Sequence, residues 1–161
     1  MRAEKIEEST CISQILPYRS ETVKTAIIEI KTHENRKIAH LLGSLLYDFL
    51  LSEMSDLEIF ENFTSPLILP IPITNRKKRK RGWNQCELLA SAMKKIMKKS
   101  RNNRESIFEI HNNFLQKKRE NEDQVGKSRR ERFKNLENCL NVRKPELIKN
   151  RNIIVIKVIK L

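Results

Sequence analysis

A run of six basic residues carries the clearest chemical signal in this sequence. It consists of Arg76, Lys77, Lys78, Arg79, Lys80 and Arg81. Gly82 and Asn84 follow at once, before an apolar helix-forming segment. Arginine forks bind phosphate through paired hydrogen bonds, and the first turn of a helix offers unbonded N–H groups to an anion. The pattern predicts a basic loop that binds phosphate, with Arg81 the best candidate because Gly82 would let a ligand approach the backbone.

The same run also fits two simpler interpretations. It is typical of a solvated basic surface, and it is typical of a nucleic-acid contact that binds phosphates without reading sequence. The formal net charge of +13 and the pI near 9.9 favour polyanions in general, whether DNA or a phosphorylated small molecule. A nuclear-import signal is a further, weak match.

A second polar segment follows Leu115 and is rich in basic and amide side chains. It includes Arg119, Gln124, Arg132 and Asn135. Ser128 with Glu131 three residues later forms a capping box, which predicts a short helix through Leu136. The residues before it predict a mobile, turn-like loop. An ordinary basic surface helix is the alternative, and the segment alone leaves both open.

Regular elements must position these segments. Apolar residues at helical spacing predict helices over about residues 20–30, 35–52 and 85–99, the first two capped by Ser20 and Asn35. Continuous apolar runs predict buried strands at 67–72 and 152–158, with a short strand within 107–115. Helices that alternate with such strands predict an α/β domain with a short, mainly parallel sheet flanked by helices. We expect the strands from Leu67 and Ile153 to lie close together.

The order of these motifs resembles the ComF family over residues 18–156. The stretches that carry the resemblance are "YRSETVKTAIIEIKTHENRKIAHLLG", "LILPIPIT", "RGWNQCELLA", "LQKKRENEDQVGKSRRERFKNLENCLNV" and "NRNIIVI". Members of that family look like type I phosphoribosyltransferases and are linked with competence and DNA uptake in bacteria. The resemblance implies a phosphoribosyltransferase-like (glycosyltransferase) core, and it implies a protein partner in the DNA-uptake machinery.

The resemblance assigns roles to particular residues. The family's Arg-Gly-aromatic-Asn-Gln element falls on Arg81, Gly82, Trp83, Asn84 and Gln85. In the family it lies on the pyrophosphate side of phosphoribosyl diphosphate. The family's flexible region near the active-site opening falls on Arg119, Gln124, Arg132 and Asn135.

Two departures from the family shape the functional expectation. Family members usually begin with a cysteine-rich zinc ribbon, whereas only Cys11 lies upstream here, so residues 1–19 are expected to be a lead-in and residues 20–161 the domain. After the last core strand the family has an acidic pair and a Thr-Thr-Gly phosphate loop, but Lys157 and Val158 follow Ile156. We therefore expect a core that is incomplete at the C-terminus and catalytically impaired.

No residue is predicted to be catalytic or to bind a metal. Magnesium accompanies phosphoribosyl diphosphate in intact relatives only. The alternatives are a non-catalytic basic module that binds nucleic acid or a partner protein, and a non-functional fragment.

Composition narrows the class of protein further. A chain of 161 residues fits one domain with a real core. Cys11, Cys86 and Cys139 are isolated, and no Cys-x-x-Cys pair indicates zinc. No apolar run approaches the ~18 residues of a membrane span, and the N-terminus lacks an apolar signal core. These features predict a cytoplasmic protein without a membrane span.

Overall fold

A computed structural model describes residues 15–17, 19–61, 63–100, 107–118 and 139–158. Helices and short strands are mixed along the chain, which confirms the predicted α/β class. In chain order the elements are α1 (Glu21–Thr32), α2 (Arg36–Glu61), β1 (Leu67–Pro70), α3 (Asn75–Arg81), α4 (Gln85–Ser100), β2 (Glu109–Ile110), β3 (Leu115–Lys117), β4 (Leu140–Val142), α5 (Pro145–Ile148) and β5 (Ile153–Ile156).

Local sequence explains how the first two helices begin. Asn35 caps α2 as predicted, since its Oδ1 accepts the backbone N–H of Ile38 at 3.2 Å. Ser20 stands at the N-cap of α1 but makes no side-chain cap bond, so that detail of the prediction is wrong. α2 continues past the predicted residue 52 to Glu61, because neither proline nor glycine interrupts residues 44–61. Among the described helices, none combines the length and apolar character that crossing a bilayer requires.

The main sheet has three parallel strands in the order β2-β1-β5. Leu67 pairs with Ile153 and Pro70 with Ile156, so the two strands predicted to be neighbours are hydrogen-bonded partners. β3 and β4 form a separate antiparallel pair. No strong apolar run in the sequence marks either strand. A parallel bridge between Thr74 and Lys117 connects that pair to the segment after β1.

One face of the main sheet is covered by helices. Side chains from every layer meet in this cluster, which contains Ile30, Ala39, Leu50, Ile68, Leu89, Ala90, Met93, Phe108, Ile110 and Ile156. Ile68 and Met93 are fully buried at its centre. The predicted helices at 35–52 and 85–99 do pack with the sheet. However, Leu41 and Leu45 of α2 are 59% and 42% exposed, so part of the predicted stripe faces solvent.

The other face of the sheet is covered only in part. Leu67 and Leu69 of β1 are buried there with Phe114, and Leu115 and Ile148 pack against them. On the neighbouring strand β5, Ile153 is 39% exposed and Val155 is 49% exposed. The prediction of a fully buried final strand is therefore wrong. β5 is an edge strand in the described part of the sheet, and its residues alternate between the covered face and the open one.

A charged cluster joins the two outer strands at the amino end of the sheet. Arg151 Nη2 lies 2.9 Å from Glu109 Oε1, and His111 Nε2 lies 3.2 Å from Glu109 Oε2. These hydrogen bonds, that of Arg151 foremost, lower the pKa of Glu109. The cluster thus stabilises the fold above the ordinary carboxyl pKa and loses that contribution as pH falls through the lowered one. Glu109 is half exposed, so the contribution is modest, about 0.2–1 kcal/mol.

A glycine sets the closest approach between α2 and α4. A Cβ added at Gly43 would lie 2.7 Å from the Ala92 Cβ and 3.3 Å from the Leu89 carbonyl oxygen. Neither neighbour is the end of a flexible side chain, so the helices would have to move apart. Because both helices contribute to the main core, this contact sets how closely α2 and α4 can pack over it.

We expect Gly43→Ala to destabilise the protein by about 1–2 kcal/mol, because overpacking outweighs the helix-propensity gain of about 1 kcal/mol. Ala92→Gly in the same chain should recover much of the loss by removing the opposing methyl group. Urea unfolding of both single variants and the double variant measures this coupling. Strictly additive free energies of unfolding would contradict the contact.

Candidate anion-binding site

The six basic residues form a helix, α3, and not the predicted loop. Thr74 caps it, since its Oγ1 accepts the backbone N–H of Lys77 at 3.3 Å, and lysine and arginine are good helix formers. Gly82 ends the helix at φ 92°, where its N–H donates to the Lys78 carbonyl at 2.7 Å. A Cβ at this position would meet nothing within 4 Å, so lack of space does not require glycine here. The positive φ at the end of the helix does.

Helical spacing divides the cations of α3 between two faces. At 100° per residue, Arg76, Arg79 and Lys80 lie within about 100° of one another. Lys78 and Arg81 lie on the opposite side and are held by α4. Lys78 Nζ is 2.7 Å from a carboxylate oxygen of Glu87, and Arg81 Nη1 donates to Gln85 Oε1 at 2.9 Å. Arg76, Arg79 and Lys80 thus form an exposed cationic face, and Lys77, which is also exposed, lies beside it.

Asn84 is buried, and both the oxygen and the nitrogen of its side-chain amide form hydrogen bonds. Its Oδ1 accepts the backbone N–H of Cys86 at 3.0 Å, which caps α4. Its Nδ2 donates to the Ile71 carbonyl at 2.9 Å and to Glu87 Oε1 at 3.3 Å. Glu87 therefore binds both the Asn84 side chain and Lys78. With 1% of its surface exposed, Asn84 joins β1 to α4.

The other residues of the predicted phosphate element are also bonded within the protein. Trp83 Nε1 donates to the Ile30 carbonyl at 2.9 Å, which ties the segment to the end of α1. Arg81 and Gln85 are half-buried and bonded to each other. The structure brings the predicted set together in one short segment. Gln85 thus engages one N–H of the Arg81 guanidinium group.

The start of α4 meets the carboxyl end of β5 at the Cys86 thiol. Burial raises the pKa of that thiol, while a hydrogen bond with the Val158 backbone and the charges of Lys31 and Lys157 oppose the rise. A buried thiol with a raised pKa is a poor nucleophile. The contact shows that the ends of β1 and β5 converge on one helix start, which is the place where open α/β sheets bind ligands.

These residues do not fit a magnesium ion. Magnesium requires oxygen ligands, commonly carboxylates, whereas exposed Lys157 and half-buried Val158 follow β5. Within the described ranges, no group of three or more His, Cys, Asp or Glu side chains is placed to hold a metal.

The second predicted segment is not among the described residues. Arg119, Gln124, Arg132 and Asn135 all lie outside the described residues, as does the predicted helix from Ser128. In contrast, sequence analysis missed Lys117, which pairs with Thr74 at the start of α3. No local pattern could have found it, because that pairing depends on how β3 folds back. Comparisons with protein-family models, curated proteins and solved structures find no match to this chain.

Replacing Asn84 should test its role in joining β1 to α4. Asn84→Ala removes the cap and leaves the Ile71 carbonyl without its donor, so we expect a loss of about 1–3 kcal/mol. Asn84→Asp keeps the acceptor for Cys86 but loses the donor, and should also destabilise. Chemical denaturation followed by circular dichroism measures both changes. If Asn84→Asp matches the parent protein, the bond to Ile71 contributes nothing.

Proposed function

We propose that this chain is a ComF-type, phosphoribosyltransferase-like domain that binds nucleic-acid phosphates through α3 and does not transfer phosphoribosyl groups. One observation carries the proposal: Arg76, Arg79 and Lys80 share the solvent face of α3, beside the carboxyl end of the parallel sheet. Lys78 and Arg81, whose partners lie on α4, are on the opposite side of the helix.

The shape of this cationic face favours a polymer over a small ligand. Sites for a small diphosphate are concave and surround the ligand with N–H donors. Exposed side chains on a short convex helix instead match a row of phosphates along a nucleic-acid backbone, which they neutralise one by one. Arg81, Asn84 and Gln85 support the same choice, because each side chain already forms a hydrogen bond inside the protein.

The family resemblance supports DNA as the nucleic acid. The motif order, the parallel strands β1 and β5 and the basic element between β1 and α4 agree with a ComF-type core. The link of that family with DNA uptake extends the proposal to contact with a protein of the uptake machinery. Phosphate contacts position a protein without specifying sequence, so we expect no preference among DNA sequences.

We expect affinity for DNA of about 10⁻⁴ to 10⁻⁶ M at physiological salt. Replacing Arg76, Arg79 and Lys80 with alanine should weaken binding and lower the salt slope by about two to three units, since each phosphate contact adds about 0.9. Fluorescence anisotropy from low to high salt, on single-stranded and duplex DNA, measures both quantities.

The matched control removes the same charge elsewhere. Lys94, Lys95 and Lys98 of α4 are exposed, and their alanine variant also loses three positive charges. This control should retain most of the salt slope. Equal losses in the two variants would assign binding to net charge and would exclude α3 as the specific contact.

We also expect no release of pyrophosphate from phosphoribosyl diphosphate at an enzymatic rate. Lys157 and Val158 occupy the positions where the resemblance places the acidic pair, and neither can bind ribose hydroxyls or a metal as a carboxylate does. A coupled pyrophosphate assay with magnesium measures this directly. Sustained turnover that Arg81→Ala abolishes would contradict the proposal and restore a transferase.

A further inference from the structure

Exposed apolar side chains occur on the open face of the sheet and on β4 and α5. Ile153 and Val155 lie on the same face as Leu67 and Leu69, to which they are paired across β1 and β5. Ile148 of α5 packs on that pair of leucines. Five large apolar side chains of β4, α5 and β5 are 39–49% exposed: Leu140, Val142, Leu147, Ile153 and Val155. We call these five residues the apolar surface.

A shallow depression lies between β4 and α5. It is lined by Val142, Pro145, Glu146, Ile148 and Lys149. Ile148 also packs against the leucine pair of β1.

The outer edge of β5 adds hydrogen-bonding capacity to the apolar surface. The carbonyl groups of Asn152 and Ile156 accept the N–H groups of Leu67 and Ile71, so the even-numbered residues bond toward β1. The N–H and C=O groups of Ile153 and Val155 therefore point away from β1, and β5 is the last strand of the described sheet. Such an edge pairs readily with an added strand.

Positive charge around the apolar surface favours an acidic partner. Residues 139–158 contain five Lys and Arg residues and one acidic residue, Glu146. Arg151 is paired with Glu109, but Lys144, Lys149 and Lys157 are exposed beside the apolar residues. A second copy of the chain would bring the same cations to the contact, and like charges across an interface oppose association.

We propose that the apolar surface and the edge of β5 bind an extended acidic segment of a partner protein, which adds to the sheet as a strand. Its alternate apolar side chains cover Ile153 and Val155. The acidic side chains between them face the lysines of the rim.

A labelled nine-residue peptide of alternating valine and glutamate is the probe, titrated against the full chain by fluorescence anisotropy. Its binding should be at least tenfold tighter than that of a valine–lysine peptide. It should also be at least tenfold tighter than that of the same valine–glutamate peptide N-methylated on alternate residues, which cannot form the strand bonds. These three peptides test charge and strand pairing on the unaltered protein.

Variants then locate the site. Ile153→Glu with Val155→Glu should weaken peptide binding at least tenfold. Ile28→Glu is the matched control, because Ile28 is 51% exposed on α1, and it should change binding less than threefold. The alanine variant at Arg76, Arg79 and Lys80 should also bind the peptide normally, which separates this surface from the DNA contact proposed for α3.

Several results would overturn the proposal. Equal binding of the N-methylated peptide would exclude strand addition. Loss of binding in the α3 variant alone would move the acidic peptide to α3. If the parent chain dimerises in sedimentation and the Ile153→Glu, Val155→Glu variant does not, the occupant is a second copy. If vesicles of anionic lipid bind and the peptide does not, the surface contacts a bilayer.

Discussion

The buried amide of Asn84 is the constraint on which the rest of this basic region depends. It bonds the carboxyl end of β1 through Ile71 and caps α4 through the N–H of Cys86. α3 is therefore held between a fixed strand end and a fixed helix start. Glu87 and Gln85 bond Lys78 and Arg81 on the side near α4, whereas Arg76, Arg79 and Lys80 share the opposite, exposed face.

The two faces of the small parallel sheet are covered to different extents. α4 and α2 close one face, with Gly43 permitting their close contact. On the other face Ile148 and Phe114 reach the β1 leucines but leave Ile153 and Val155 exposed. The molecule thus has a cationic surface on α3 and an apolar surface along β5. The first suits phosphate groups through charge, and the second suits a polypeptide through burial.

The helices and strands with strong periodic patterns could be predicted, and their errors have physical reasons. Asn35 and the apolar stripe after it located α2, but no pattern marked its end, since a helix without breakers continues as far as packing supports it. The basic run was predicted as a loop because charge suggests solvent, although Lys and Arg favour a helix once Thr74 caps it. For Arg81 to Gln85, sequence spacing could not reveal that Arg81 and Gln85 bond each other or that Asn84 bonds Ile71 and Cys86.

The sequence by itself determined the α/β class, the pairing of the strands at Leu67 and Ile153, and the concentration of positive charge between β1 and α4. These properties follow from apolar periodicity and composition, which act locally. Only the tertiary structure decided which cations remain on the surface, that Asn84 is buried, and that Ile153 and Val155 are exposed. Each of these depends on which distant segment covers a given face, as Ile148 does for Leu69, and local periodicity does not encode that neighbour.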